Sequence, residues 1–585
     1  MKIHYQVSMP QPSTHLFEVE LRWVDGADTP ESVTFALPVW TPGSYLVREY
    51  SRHLQNLKVW AEGTLLPSHQ VEKIAKNRWQ VEGVVPATLR VSYQVLATEL
   101  TVRTNHLDET HGYFNPAALL LFVEGYETCA HQVTIVPPYP HWQIATPLPP
   151  VSQNPYTVEA ANYDLLVDSP FEVGEQQCFD FTVLDKPHRL VIWGKGNYEP
   201  QQLIEDIHRL IETEAALFGD LPYDRYLFLM HLSGSGYGGL EHRDSCSLLC
   251  PRSAFRQTQS YTTVLNLIAH EFFHLWNVKR LRPLGLETFD YQRENYTPSL
   301  WFCEGVTSYY DLLIPLQAGL YDDQTFLSLL GKDLSRWFNT PGRQVQPLRE
   351  SSFDAWIKLY RRDAHSDNHQ VSYYLKGAIV TLILDLQIRA RHHNRRSFDD
   401  VLRSLWQEFG KPERGFSEAD LERTILQVGE WEQPAAAEFI ERYRQYLDST
   451  EELPLAEVLA PFGLALVPVE SNQPFSGVTL QTSNGRTLIR TVLANSPAQE
   501  AGLEPEDELL AIDGMQVNSS EEALALLQNY APGETIAVAV FHQNFLCTRS
   551  VTLGKPQPSQ YEVRPVPDPT PEQILLYNGW LGNDR

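Results

Sequence analysis

Residues 265–282 read LNLIAHEFFHLWNVKRLR. Leu265, Leu267, Ile268, Ala269, Phe272, Phe273, Leu275 and Trp276 recur at a spacing that leaves little polar surface on any side, so the stretch predicts a buried helix over 261–280. Within it His270, Glu271 and His274 form H-E-x-x-H. At 3.6 residues per turn the two histidines leave one face and converge on one point, a candidate metal site, with Glu271 placed to act as base toward a water held there. Two histidines and a glutamate inside an apolar helix need polar partners, which a metal would supply.

Working outward, the flanking segments differ in period. From residue 1 to about 196 the chain runs as short alternating segments broken by Pro, Gly, Asn and Asp: HLFEVELRW at 15–23, VTFALPVW at 33–40, a stretch at 84–97, HQVTIVP at 131–137, QCFDFTVL at 177–184 and RLVIWG at 189–194. This predicts a β-sandwich-like domain over 1–196. Within it TPGSY at 41–45 reads as a Pro-Gly turn of structural importance. After Tyr198 helical spacing takes over, followed by a strand at 224–232 and the glycine-rich SGSGYGGLEH. Helices are then expected at 299–314, 323–338, 372–393, 397–409, 417–428 and 433–448, giving a mostly helical α+β domain over 197–450. Strands return from 451 to 555. Residues 556–585, rich in proline and carrying Tyr577 and Trp580, read as an extended tail docked by its aromatics.

Composition narrows the partners. With 585 residues, 43% hydrophobic and 11% aromatic, the chain can fill several packed cores. A net charge of −27 opposes nucleic acid and anionic membrane as partners. No run of 18 apolar residues occurs, and the first residues carry no apolar leader, which predicts a cytoplasmic protein. Six scattered cysteines suit reduced thiols; Cys246 and Cys250, spaced C-x3-C without a second pair, make a weak metal signal.

A hydrolytic zinc takes three protein ligands, and Glu304 in SLWFCEGVTSYY is the best third ligand for His270 and His274. HEFFHLWNVKRLRP, WFCEGVTSYY, GYGGLEH and YYLKGA, with TPGSYLVREY and NYDLLVDSPFEVGE, resemble the glycyl aminopeptidase family of zinc metallopeptidases, relatives of the alanyl aminopeptidases. More residues separate His274 from Glu304 than in the alanyl relatives, and the glycyl family has this longer insertion.

The resemblance implies a thermolysin-like catalytic domain holding one Zn2+ per chain on His270, His274 and Glu304, with Glu271 as general base. Tyr374, or its neighbour Tyr373, is implied as oxyanion donor. Gly238 and Gly239 would align a peptide backbone, and Glu241 would pair with the free α-ammonium of a Gly or Ala N-terminus, with His242 standing where the alanyl relatives have asparagine. Residues 451–555 resemble a PDZ domain, with Phe462, Gly463 and Leu464 as its loop for a peptide's terminal carboxylate. The expected partners are peptides with a free N-terminus and a C-terminal peptide ligand of the PDZ domain. The sequence is also compatible with a homo-oligomer. The competing readings are a PDZ adaptor or chaperone with a vestigial peptidase site, and a zinc endopeptidase.

Overall fold

The computed structural model describes residues 2–24, 31–83, 88–151 and 154–582, so the first four residues of the predicted stretch at 84–97 lie outside the described residues. The chain divides into two compact units, Met1–Thr297 with Leu402–Glu418, and Pro298–Val401 with Ala419–Arg585.

In the first unit the alternating segments become strands. Leu16–Val24 sets Phe17, Val19, Leu21 and Trp23 into the core and turns its other face outward. It lies between Lys2–Ser8 and Thr88–Leu96 in an eight-stranded sheet, in which Lys2–Ser8 also runs parallel to Ala130–Val136. Two four-stranded sheets complete the β-rich region. A fourth sheet builds the platform for the site: its strand Tyr226–Ser233 is buried along nearly its whole length and runs parallel to both Lys186–Trp193 and Ser245–Pro251. A continuous apolar run is what a parallel strand covered on both faces requires. Gly238–Glu241 pairs antiparallel with Ser245–Pro251 and forms the edge of this five-stranded sheet. Helices Pro200–Phe218 and Thr258–Phe273 pack against each other beside it.

The motif helix is shorter at its end than its periodicity predicts. It stops at Phe273 with His274 as its cap, and 275–281 continue as turns in which Lys279 N–H bonds the His274 carbonyl and Leu281 N–H that of Trp276. Val278 at φ 117° breaks the helical run. Leu275, Trp276 and Leu281 are buried all the same, so the apolar pattern outlasts the helix it suggested.

The second unit is helical and then β. Asp323–Phe338 starts at Asp322, whose carboxylate caps Thr325 N–H, and Tyr373–His392 starts at the Ser372 cap. Trp301–Val306 is a π-helical turn leading into Thr307–Gln317. Strands Val478–Ser483, Arg486–Val492, Glu508–Ile512, Met515–Gln516, Thr535–His542 and Phe545–Thr552 form a six-stranded sheet around its own core, with helices Pro497–Glu500 and Ser520–Leu527. The side chain of Asn368 joins the helical part to this sheet by donating to Val492 O and accepting from Ala494 N, both at 2.8 Å.

Two expectations are corrected here. The tail is extended only in its first part: Gln560–Pro565 is a strand paired antiparallel with Leu464–Val469, and helix Pro571–Leu581 follows it. Thr570 and Gln573 form a reciprocal capping box around Pro571, and Trp580 is buried against Phe326 and Phe462. For the same reason Phe462, Gly463 and Leu464 do not form a carboxylate loop. Phe462 packs on Trp580, a Cβ on Gly463 would touch Pro569 and Gln573, and Leu464 opens the strand paired to the tail, outside the six-stranded sheet.

Candidate active site

Within the first unit, the helical register brings the imidazoles of His270 and His274 to 4.7 Å between ring centres, nearly perpendicular. His274 is buried, and its Nδ1 donates to the carbonyl of Asn277 at 2.8 Å. That bond fixes the tautomer, leaving the lone pair on Nε2, which is how a metal-ligating histidine is held. The turn that ends the helix early therefore supplies the group that orients its last histidine.

Glu271 lies against the edge strand. A Cβ on Gly239 would stand 2.0 Å from Glu271 Oε1, so this strand position admits glycine alone while the carboxylate keeps its place. Glu241, two residues on, is buried, and its Oε1 has no hydrogen-bond partner among the described residues. One ligand atom each from Glu241, Glu271 and His274 lies within 4.8 Å of the others. Two buried carboxylates this close repel each other and call for cations between or beside them. This group of two carboxylates and an imidazole is one that a cation would satisfy.

The surroundings of Glu241 include the TPGSY turn, whose sequence reads as structural. Gly43, in the TPGSY turn, has φ +87°, and a Cβ there would lie 2.6 Å from both carboxylate oxygens of Glu241. The turn, tied by a Thr41–Ser44 bridge and by Arg48 donating to Ser44 Oγ, thus closes on the carboxylate. The signal in the sequence was the Pro-Gly pair; what it packs against was not encoded locally. Arg103 donates to Gly239 O at 2.9 Å and steadies the edge strand. His242 is turned elsewhere: its Nδ1 faces Asp168 Oδ1 at 3.3 Å, and Lys279 Nζ reaches the same oxygen at 2.6 Å. Burial raises the Asp168 pKa, yet the Lys279 ammonium and His242 more than offset it and hold the carboxyl well below its usual range. His242 is therefore part of a buried network that anchors the turn after the motif.

His111, Glu172 and His231 form a second buried group, in which Glu172 accepts from His111 Nδ1 and His231 Nε2, each at 2.8 Å. The opposite ring nitrogens have no partner among the described residues. A metal ligated at the inner nitrogens would leave two buried N–H groups unsatisfied, so this group is wired as a carboxylate serving two imidazoles.

In the second unit Glu304 is buried in the π-helical turn, a geometry that recurs at functional sites. Its neighbour Gly305 touches helix Tyr373–His392: a Cβ on Gly305 would stand 2.4 Å from the Gly377 Cα. Two glycines thus let the backbone that carries Glu304 rest directly on the helix that carries Tyr374. Tyr373 is fully buried, whereas Tyr374 is partly exposed and its hydroxyl lies 3.1 Å from that of Tyr360.

The sequence matches the Peptidase M61 N-terminal domain over residues 4–175, M61 glycyl aminopeptidase over 263–380 and a PDZ domain over 474–553. The chain is similar to the crystal structure of an aminopeptidase N family protein from Idiomarina loihiensis, with TM-score 0.91 and 32% identity over 99% of this chain and 100% of that one. An M1 zinc metallopeptidase from Deinococcus radiodurans aligns at TM-score 0.48 and 14% identity, over 78% of this chain and 95% of that one. A Carboxyl-terminal-processing protease of Synechocystis is 37% identical over 86 residues, 14% of this chain; the match spans only 20% of that protein's length. With a relative at 32% identity along its full length and M61 descriptions covering both the β-rich region and the H-E-x-x-H segment, the chain belongs to the M61 glycyl aminopeptidase family of metallopeptidases.

Proposed function

We propose that this protein is a zinc-dependent aminopeptidase that removes small N-terminal residues, glycine or alanine, from peptides. The observation that carries the reading is Glu241, a buried carboxylate with an unpartnered oxygen, on the glycine-rich edge strand beside Glu271 and His274. The preference for a small residue rests on the family description.

His270 and His274, with Glu304 as the third ligand, would hold the ion; the two-histidine, one-carboxylate set is that of catalytic zinc. Zinc in such a set supplies Lewis acidity that lowers the pKa of a water and polarises a scissile carbonyl. Glu241 binds the substrate's α-ammonium and so fixes cleavage one residue from the end. The backbone of Gly238–Glu241 receives the peptide as an added strand. Glu271 takes the proton of the attacking water and delivers it to the leaving amine. Tyr374, partly exposed where Tyr373 is enclosed, donates its phenolic hydrogen to the carbonyl oxygen as charge develops there. In the PDZ domain, peptide docking falls to the edge strand Val478–Ser483 beside helix Ser520–Leu527, preceded by Ser476 and Gly477, rather than to 462–464. Six cysteines without disulfides suit a reducing, cytoplasmic setting.

The test is turnover of alanyl and glycyl peptides against their N-acetylated forms by the zinc-loaded enzyme and by Glu241→Ala. The free amines should be cleaved and the acetylated forms spared, with the variant raised in KM and less selective. Equal cleavage of both by the wild type contradicts the reading and indicates an endopeptidase.

A further inference from the structure

Lys279 and Arg280, consecutive in the turn that ends the motif helix, are both buried. A buried cation is costly unless fixed partners meet it, and both have them. Lys279 Nζ reaches Asp168 Oδ1 at 2.6 Å. Arg280 spreads its fork over four acceptors: Nη1 donates to Arg243 O at 2.8 Å and Leu275 O at 3.1 Å, and Nη2 to Pro222 O at 2.8 Å and Asp244 Oδ1 at 2.7 Å. Asp168 completes the arrangement, since its Oδ2 accepts from Arg243 N–H at 2.7 Å while Oδ1 also faces His242 Nδ1. The Arg243 backbone is thus gripped on both sides, its N–H by Asp168 and its carbonyl by Arg280.

What these contacts join is specific. Arg243 lies two residues after Glu241, in the corner where His242 N–H bonds Ser245 O and the chain passes from the edge strand into Ser245–Pro251. Lys279 and Arg280 belong to the turn whose Asn277 carbonyl orients His274, and Lys279 N–H bonds the His274 carbonyl itself. Val278 in this turn stands at φ 117°, a conformation that a β-branched residue takes only where its surroundings impose it. Two charged ties therefore run from the corner after Glu241 to the turn after His274. An aminopeptidase needs that span fixed, because one carbon separates the substrate's α-ammonium from its scissile carbonyl, and an added methylene lengthens the path by a bond of about 1.5 Å. We propose that Asp168, Lys279 and Arg280 are positioning residues that lock the corner carrying Glu241 to the turn orienting His274, and so select substrates whose free amine is on the α-carbon. The proposal rests on the aminopeptidase reading made above.

The experiment uses the full chain as wild type, Asp168→Asn and Lys279→Met. It reads kcat/KM on an alanyl peptide and on the matching β-alanyl peptide, whose amine is one methylene further from the carbonyl, and the zinc dissociation constant by competition with a chelator. The ratio of the two activities does not depend on how much of a preparation is folded, so plain destabilisation leaves it unchanged. In both variants kcat/KM on the alanyl peptide should fall about thirtyfold and on the β-alanyl peptide no more than about threefold, so that the preference drops about tenfold. Zinc affinity should weaken about tenfold as the turn that orients His274 loosens. Lys279→Met cuts the turn side alone and decides the matter by itself if Asp168→Asn does not fold. A preference within twofold of wild type overturns the proposal, as does unchanged zinc affinity, while selectivity of the wild type for a free over an acetylated N-terminus leaves the aminopeptidase reading standing. A wild type that cleaves the acetylated alanyl peptide as fast as the free one overturns that reading and this proposal with it.

Discussion

Gly43 and Gly239 carry no side chain because carboxylates occupy the space where one would stand: Glu241 in the first case, Glu271 in the second. At Gly43 the positive φ adds a backbone reason, since residues with a Cβ rarely adopt it. Gly43→Ala should push the Glu241 carboxylate from its position and raise KM for peptides with a free N-terminus by about tenfold, with a smaller change in kcat. Steady-state kinetics on an alanyl peptide checks this, and an unchanged KM would separate Gly43 from amine recognition. Glu172 gives a stability prediction at the same scale. Burial raises its pKa, but His111 and His231 outweigh this and bring it from 4.5 down to about 2. A depressed folded-state pKa means stability that is present above pH 4.5 and lost as the pH falls toward 2. Glu172→Gln should therefore cost about 1–3 kcal/mol near neutrality. The gap to wild type should close as the pH falls across that window, as read by urea unfolding at several pH values.

At the scale of elements, the crossing of Trp301–Val306 with Tyr373–His392 depends on Gly305 and Gly377. A Cβ on Gly377 would stand 2.7 Å from the Trp301 carbonyl and 2.9 Å from the Gly305 Cα, and neither backbone atom can swing aside. Gly377→Ala should destabilise this unit by about 1–3 kcal/mol and lower zinc content, checked by unfolding and metal analysis; wild-type values for both would show that the contact is slack. These elements were largely legible in the sequence, since helix Asp323–Phe338 and the long helix from Tyr373 follow from caps and period, and the motif spacing alone puts His270 and His274 side by side. What the sequence hid was set by distant partners. The motif helix ends at Phe273 because a turn, not a helix, buries Leu275 and Trp276. FGLAL has the glycine and apolar residues of a carboxylate loop, but those also suit any chain entering a strand, and pairing with 560–565 decided between them. The tail's proline content suggested extension, whereas Pro571 sits at the first turn of a helix, where proline is welcome. Asn277 and Gly43 lie in quoted stretches, but the carbonyl that meets His274 and the missing side chain that makes room for Glu241 are set by the fold and not legible there.

For the whole molecule, the formal charge of −27 is an excess of carboxylates over Lys and Arg. Among the described residues no helix is long and apolar enough to cross a membrane. The proposed function places a metal at His270 and His274 and an ammonium at Glu241, beside the buried carboxylates of the edge strand and motif helix. Turnover should accordingly disappear on dialysis against a chelator and return with one equivalent of zinc per chain. The most direct test is zinc content and kcat measured together on Glu271→Gln. Removing the base while leaving the histidines untouched should keep one zinc per chain and lower kcat at least about a thousandfold. A variant that retains zinc and turns over within tenfold of wild type would contradict Glu271 as the base and, with it, the mechanism built on this helix.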